Sequence, residues 1–85
     1  MTLYFLHLRD GTDIVLDEEG SDHDSLASLS AEMLAAARDV MREDVQHGRL
    51  DLRLRVDAET ADGALARSLS FVEALEIVFP EPESA

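Results

Sequence analysis

Seven apolar residues, Leu26, Leu29, Met33, Ala37, Val40, Met41 and Val45, recur at steps of three and four along one stretch of the chain. That spacing puts them on one stripe of an α-helix. Ser25 or Asp24 offers a side-chain oxygen to the first turn, and Gly48 offers the left-handed backbone that ends helices. A helix over 25–47 would be roughly 34 Å long at the standard rise per residue. In a chain of 85 residues this leaves room for one partner layer and one core.

The partner layer is legible in period-two segments. "LYFLHLR" at 3–9 puts Tyr4, Leu6 and Leu8 on one face and Leu3, Phe5, His7 and Arg9 on the other. "DGT" at 10–12 supplies an Asp-Gly turn, and "DIVLD" at 13–17 returns with Ile14 and Leu16 expected inward. Residues 18–25, "EEGSDHDS", read as a polar loop. After the helix, "LDLRLRVDAE" at 50–59 alternates throughout. Leu50, Leu52, Leu54, Val56 and Ala58 are expected toward the core, with Asp51, Arg53, Arg55, Asp57 and Glu59 in water. A second Asp-Gly turn at 60–63 leads to a strand with Leu65, Leu69 and Phe71 inward.

The next segment, "FVEALEIVF", fits either period. Ser70 and Glu73 favour a helix start, because Ser-x-x-Glu lets each side chain satisfy the other's free backbone donor. A short helix is therefore expected at about 71–77. The architecture expected is α+β in the order β-β-α-β-β with a short terminal helix, one four-stranded sheet packed under one long helix. A single domain would span 1–79, with a disordered tail over 80–85.

The residues that carry these elements also resemble a family. "YFLHLRDG", "DEEG", "AARDVM" before "GRLDL", and "DG" followed by "LSFVEALEI" occur in that order between Tyr4 and Ile77. They are similar to a bacterial family of small domains of unknown function, whose opening runs aromatic, then Phe-His-Leu-x-Asp-Gly, and whose close is Leu-Pro-Phe before a short acidic helix. Here Leu6 replaces the usual Phe and Ser70 the usual Pro. The resemblance implies a compact α+β domain and no assigned activity.

Composition narrows the function classes. A net charge of −12 repels a phosphate backbone and an anionic membrane, so neither nucleic acid nor membrane is an expected partner. All seven basic residues are Arg, which a GC-rich genome explains as simply as any need for bidentate pairing. With no cysteine there is neither a disulfide nor thiolate chemistry. The N-terminal apolar run is too short for a secretory signal, so a cytoplasmic location is expected.

Four chemistries can be weighed against plainer readings. Asp10, Asp13, Asp17 and Glu19 could offer oxygens to a divalent cation, making the acidic loop 10–24 an ion- or ligand-responsive element. No EF-hand spacing is present, and turns account for the same residues. His7, His23 and His47 lack zinc-ligand spacing, and His47 suits the negative end of a helix dipole. No nucleophile elbow or phosphate loop occurs, so no enzyme and no cofactor are expected. The reading preferred is a non-enzymatic interaction or regulatory module. Its surface is formed by Phe5, His7, Arg9, Arg53 and Arg55 on the open face of the sheet, and it contacts a protein partner or a second copy as a homodimer.

Overall fold

The computed structural model describes residues 1–10 and 14–82. Its elements are β1 (Thr2–Arg9), β2 (Ile14–Val15), β3 (Ser21–His23), α1 (Leu26–Gln46), β4 (Arg55–Thr60) and β5 (Leu65–Ser70). All five strands lie in one antiparallel sheet, with β1 and β4 adjacent and β5 beyond β4. Both β2 and β3 pair with the other edge of β1, at opposite ends. The α+β class, the single long helix and both hairpin pairings agree with the sequence pattern. The sheet has five strands rather than four, because the first returning strand is broken in two, its second piece, β3, lying within the stretch 18–25 expected as a polar loop.

Asp17 makes the break. One carboxylate oxygen accepts the Leu6 N–H at 3.1 Å, while the other accepts Glu19 N–H at 3.1 Å and Gly20 N–H at 3.2 Å. A side chain thus takes the place of a backbone carbonyl in the ladder, so the donor of β1 stays satisfied where the strand stops. Across the gap, β1 residues 5–7 face residues 16–20 of the returning chain, two residues more than a continuous ladder would hold. Gly20 sits in the break at φ 73°, a left-handed conformation. The backbone angle favours glycine, and a Cβ there would meet Leu3 and Phe5 side-chain carbons at 3.0 Å, so those side chains would have to shift to admit one.

The helix ends where its signals placed them. Ser25 caps it, its side chain accepting the Ser28 N–H at 3.1 Å. At the other end Gly48 N–H donates to the Val45 carbonyl at 2.9 Å and Arg49 N–H to the Asp44 carbonyl at 3.1 Å, the paired bonds of a Schellman motif. Gly48 has φ 79°, as that motif requires. His47 Nδ1 donates to the Glu43 carbonyl at 2.9 Å and so serves the last turn.

Leu29, Met33, Ala37 and Met41 are the buried stripe of α1, and they meet Val56, Ala58, Phe71 and Ala74. Tyr4, Leu6 and Leu8 pack against this core from β1, with Leu52, Leu54 and Leu69 at its margins. Leu29, Met33 and Phe71 are wholly enclosed, and burying such a side chain stabilises by about 1.5–3 kcal/mol. Near the helix N-terminus, His23 on β3 shares a 2.7 Å hydrogen bond with Ser28 and pairs through Nε2 with Glu32. Ser21 donates to the same Glu32 carboxylate at 2.9 Å, so β3 is tied to α1.

Several expectations are corrected. Ile14 and Leu16 are exposed rather than inward, since Val15 pairs with the core-facing Leu8 and β2 is only two residues long. Leu50 and Leu65 are also exposed. Strand β4 begins at Arg55 rather than residue 50, because Asp51 accepts the Arg53 N–H at 3.0 Å and bends residues 51–54 into a turn. The Ser70–Glu73 box does form, with Ser70 N–H donating to the Glu73 carboxylate at 3.2 Å and Glu73 N–H donating to Ser70 Oγ at 3.2 Å. No helix follows it, and residues 71–74 make only a turn with three-residue backbone bonds. The Phe71 N–H bonds the Leu54 carbonyl at 3.0 Å, which ties the turn to the chain just before β4. The Gly11–Thr12 turn and Asp13 lie outside the described residues.

Candidate interaction surface

The helix covers one face of the sheet. On the other, pairing registers bring Phe5, His7 and Arg9 of β1 beside Glu59, Asp57 and Arg55 of β4, with Ser68 and Ser70 beyond on β5. Asp57 is the hub. It lies on the face that the helix leaves uncovered, yet only 3% of it is exposed, because Arg9 at 2.6 Å, Arg55 at 3.1 Å and Ser68 at 2.5 Å close over it. Burial pushes its carboxyl up. The hydrogen bonds from Ser68, Arg9 and Arg55 outweigh that and hold it below the usual carboxylate range.

Arg9 also reaches Glu59 at 2.8 Å, bridging both carboxylates. The hydrogen bonds to Asp57 and then Glu59 raise its already high pKa, so this cation is fixed at every physiological pH. His7 lies flat against Phe5, with ring centroids 6.5 Å apart and 12° between planes. Its Nδ1 accepts the Asp17 N–H at 3.1 Å, which leaves the ring hydrogen on Nε2, 3.8 Å from Glu59. The face is therefore preorganised, since each charged side chain is already held in a definite rotamer.

Apolar groups surround the network. Leu3 pairs with Asp22 and Ile14 with Arg9, so both share this face, while Leu65 stands opposite Glu59 past a register shift at Ala58/Glu59; all three are exposed. Ile14 is 55% exposed and Leu65 61%.

Of the residues expected to form the surface, Phe5, His7, Arg9 and Arg55 come together. Arg53 does not. It sits in the turn before β4 and clamps Asp51 through Nε at 3.0 Å and Nη2 at 2.9 Å, which holds that carboxyl well below its ordinary range. Asp57, Glu59 and Ser68 were missed as participants. Their signal was the run Arg55-x-Asp57-x-Glu59 opposite His7-x-Arg9, which becomes meaningful only with a register. Of the acidic-loop residues, Asp17 spends both oxygens on backbone donors and Glu19 is exposed. Among the described residues no three His, Asp or Glu side chains converge as metal ligands, and no helix is long and apolar enough to cross a membrane.

Residues 3–72 match the family model described as a domain of unknown function, DUF6894. The chain belongs to this family. No curated protein and no solved structure matches it. Within the DUF6894 match lie the sheet from Leu3 onward, the helix and every residue of the charged network. Residues 73–82 of the described chain lie past it.

Proposed function

We propose that this DUF6894 domain is a non-enzymatic protein-interaction module of the cytoplasm that presents the uncovered sheet face to a protein partner or to a second copy. The observation that carries the reading is the exposed Leu3 and Ile14 on the face of the Arg9–Asp57–Glu59–Arg55 network, with exposed Leu65 opposite Glu59. Preorganised charges lose little side-chain entropy on contact, and the exposed apolar groups supply area to remove from water. The network's carboxylates and cations largely offset one another, so this face suits a partner of mixed polarity rather than a polyanion.

The test uses Ile14→Glu with Leu65→Glu, both at exposed positions, with Arg53→Glu as an off-face control. The tagged domain is used to capture proteins from its own source, and its mass is followed by sedimentation. The double variant should lose what the parent captures, while the control keeps it. A double variant that captures and sediments like the parent overturns the reading.

A further inference from the structure

A groove of about 380 Å³ runs along the C-terminal half of α1 on the opposite side of the molecule from the charged network. Met41, Val45, Leu50 and Leu75 give it apolar walls, and Arg38 and Arg42 stand one helical turn apart beside them. These two are the only cations in the helix. Arg38 Nε donates to the Ala74 carbonyl at 3.1 Å, which pins the chain at one end of the groove and sets Leu75 into it.

The chain then leaves. Ile77, Val78 and Phe79 are exposed, Val78 at 81% and Phe79 at 78%. Three consecutive large apolar residues in water stand next to an open apolar groove, and they are flanked by Glu76 and Glu81. Pro80 and Pro82 remove two backbone donors and hold the segment extended, so it suits a groove better than a helix or a sheet edge. Its charge complements the groove, with acids at both ends of an apolar centre against two arginines beside an apolar wall.

We propose that the groove of one copy receives Ile77–Phe79 of a second copy, with Glu76 and Glu81 against Arg38 and Arg42, and that the exchange is reciprocal. The occupant is a second copy because each chain carries both halves of the fit while its own segment departs beyond Leu75. A two-fold pair fills both grooves with one kind of contact and closes the assembly at two chains. This contact lies outside the sheet face, which stays open for the partner of the reading above. It also uses a segment beyond the family match, so the pairing belongs to this chain rather than to every DUF6894 domain.

Sedimentation velocity of the full chain and three variants tests the proposal. The parent should be a dimer. Val78→Asp with Phe79→Asp alters only the exposed segment, and Arg42→Glu with Val45→Glu alters only exposed groove positions. Each pair should weaken dimerisation at least tenfold while leaving the helical circular dichroism unchanged. Mixing the two monomeric variants should restore a heterodimer, because one intact segment then meets one intact groove. Ile14→Glu with Leu65→Glu should remain dimeric. A monomeric parent, a dimeric segment or groove variant, or a mixture that stays monomeric overturns the proposal, the first being also what a segment folded onto its own groove would give. A dimer lost only in the sheet-face variant overturns it too and assigns self-association to the sheet.

Discussion

Replacing Asp17 by alanine removes three hydrogen bonds from the broken edge of the sheet, and the structure ranks them. Glu19 N–H is exposed and turns to water at almost no cost. The Leu6 N–H is a half-buried donor on the strand at the centre of the sheet, and leaving it unmet costs about 1–3 kcal/mol. Gly20 N–H falls between the two. The expected loss is about 2 kcal/mol, against about 4–13 kcal/mol available to a chain of this length. For a domain this small that lowers the melting midpoint by about 8–16 °C. Asp17→Asn keeps one of the two accepting oxygens and should lose about half as much. Urea unfolding at neutral pH, with the slope unchanged, measures both. The pH dependence adds a second readout. Burial raises the Asp17 carboxyl, but the bonds from Gly20, Leu6 and Glu19, with the attraction of His7, bring it below its ordinary value. A carboxyl lowered by folding contributes stability above its unfolded pKa and loses it as pH falls through the folded one, so Asp17→Asn should flatten the acid limb of the curve. An alanine variant within about 0.5 kcal/mol of the parent would refute the account of the break, since that is below the smallest cost of an orphaned buried donor.

Two further outcomes follow from the same geometry. Gly20→Ala should destabilise by about 2–3 kcal/mol, from left-handed strain of about 1–2 kcal/mol plus contact with Leu3 and Phe5, whereas Gly48→Ala meets nothing and should cost only the strain. Thermal melts of the pair decide it, and equal losses would mean that β1 yields to the added methyl. Asp57→Asn should remove much of the remaining acid sensitivity, because its carboxyl is also lowered in the fold and its share of stability fades as pH drops; melts from pH 7 down to pH 2 would show it, and an unchanged acid limb would exclude Asp57 as a source.

The parts that were legible in the sequence are those with local causes. The α1 stripe, Ser25 and Gly48 act within a few residues of themselves, and spacing reveals them. The even face of β1 was legible for the same reason. The misread boundaries each turn on a side chain competing with the backbone. Asp17 stops a strand by standing in for a carbonyl, and Asp51 bends the chain while the alternation of "LDLRLRV" runs on without interruption. Ser70 and Glu73 do form their box, but only a turn follows it. The surface was half visible. Residue types named Phe5, His7, Arg9 and Arg55, whereas Asp57 and Glu59 join them through a register fixed by long-range pairing. Arg53 was misplaced because two residues of turn take it off the strand.

The two-residue excess opposite Phe5–His7 also sets what length changes the chain tolerates. Side chains alternate with period two, so an even excess leaves Ser21 and His23 on the helix side, where they meet Glu32 and Ser28. Removing one residue between 16 and 20 would turn β3 over and send His23 to the side of Phe5, leaving Glu32 without its partner. Removing two would restore the parity and close the ladder into one continuous strand. Natural relatives should therefore differ in this stretch by even numbers, and a single-residue gap should coincide with the loss of His23 and Glu32 together.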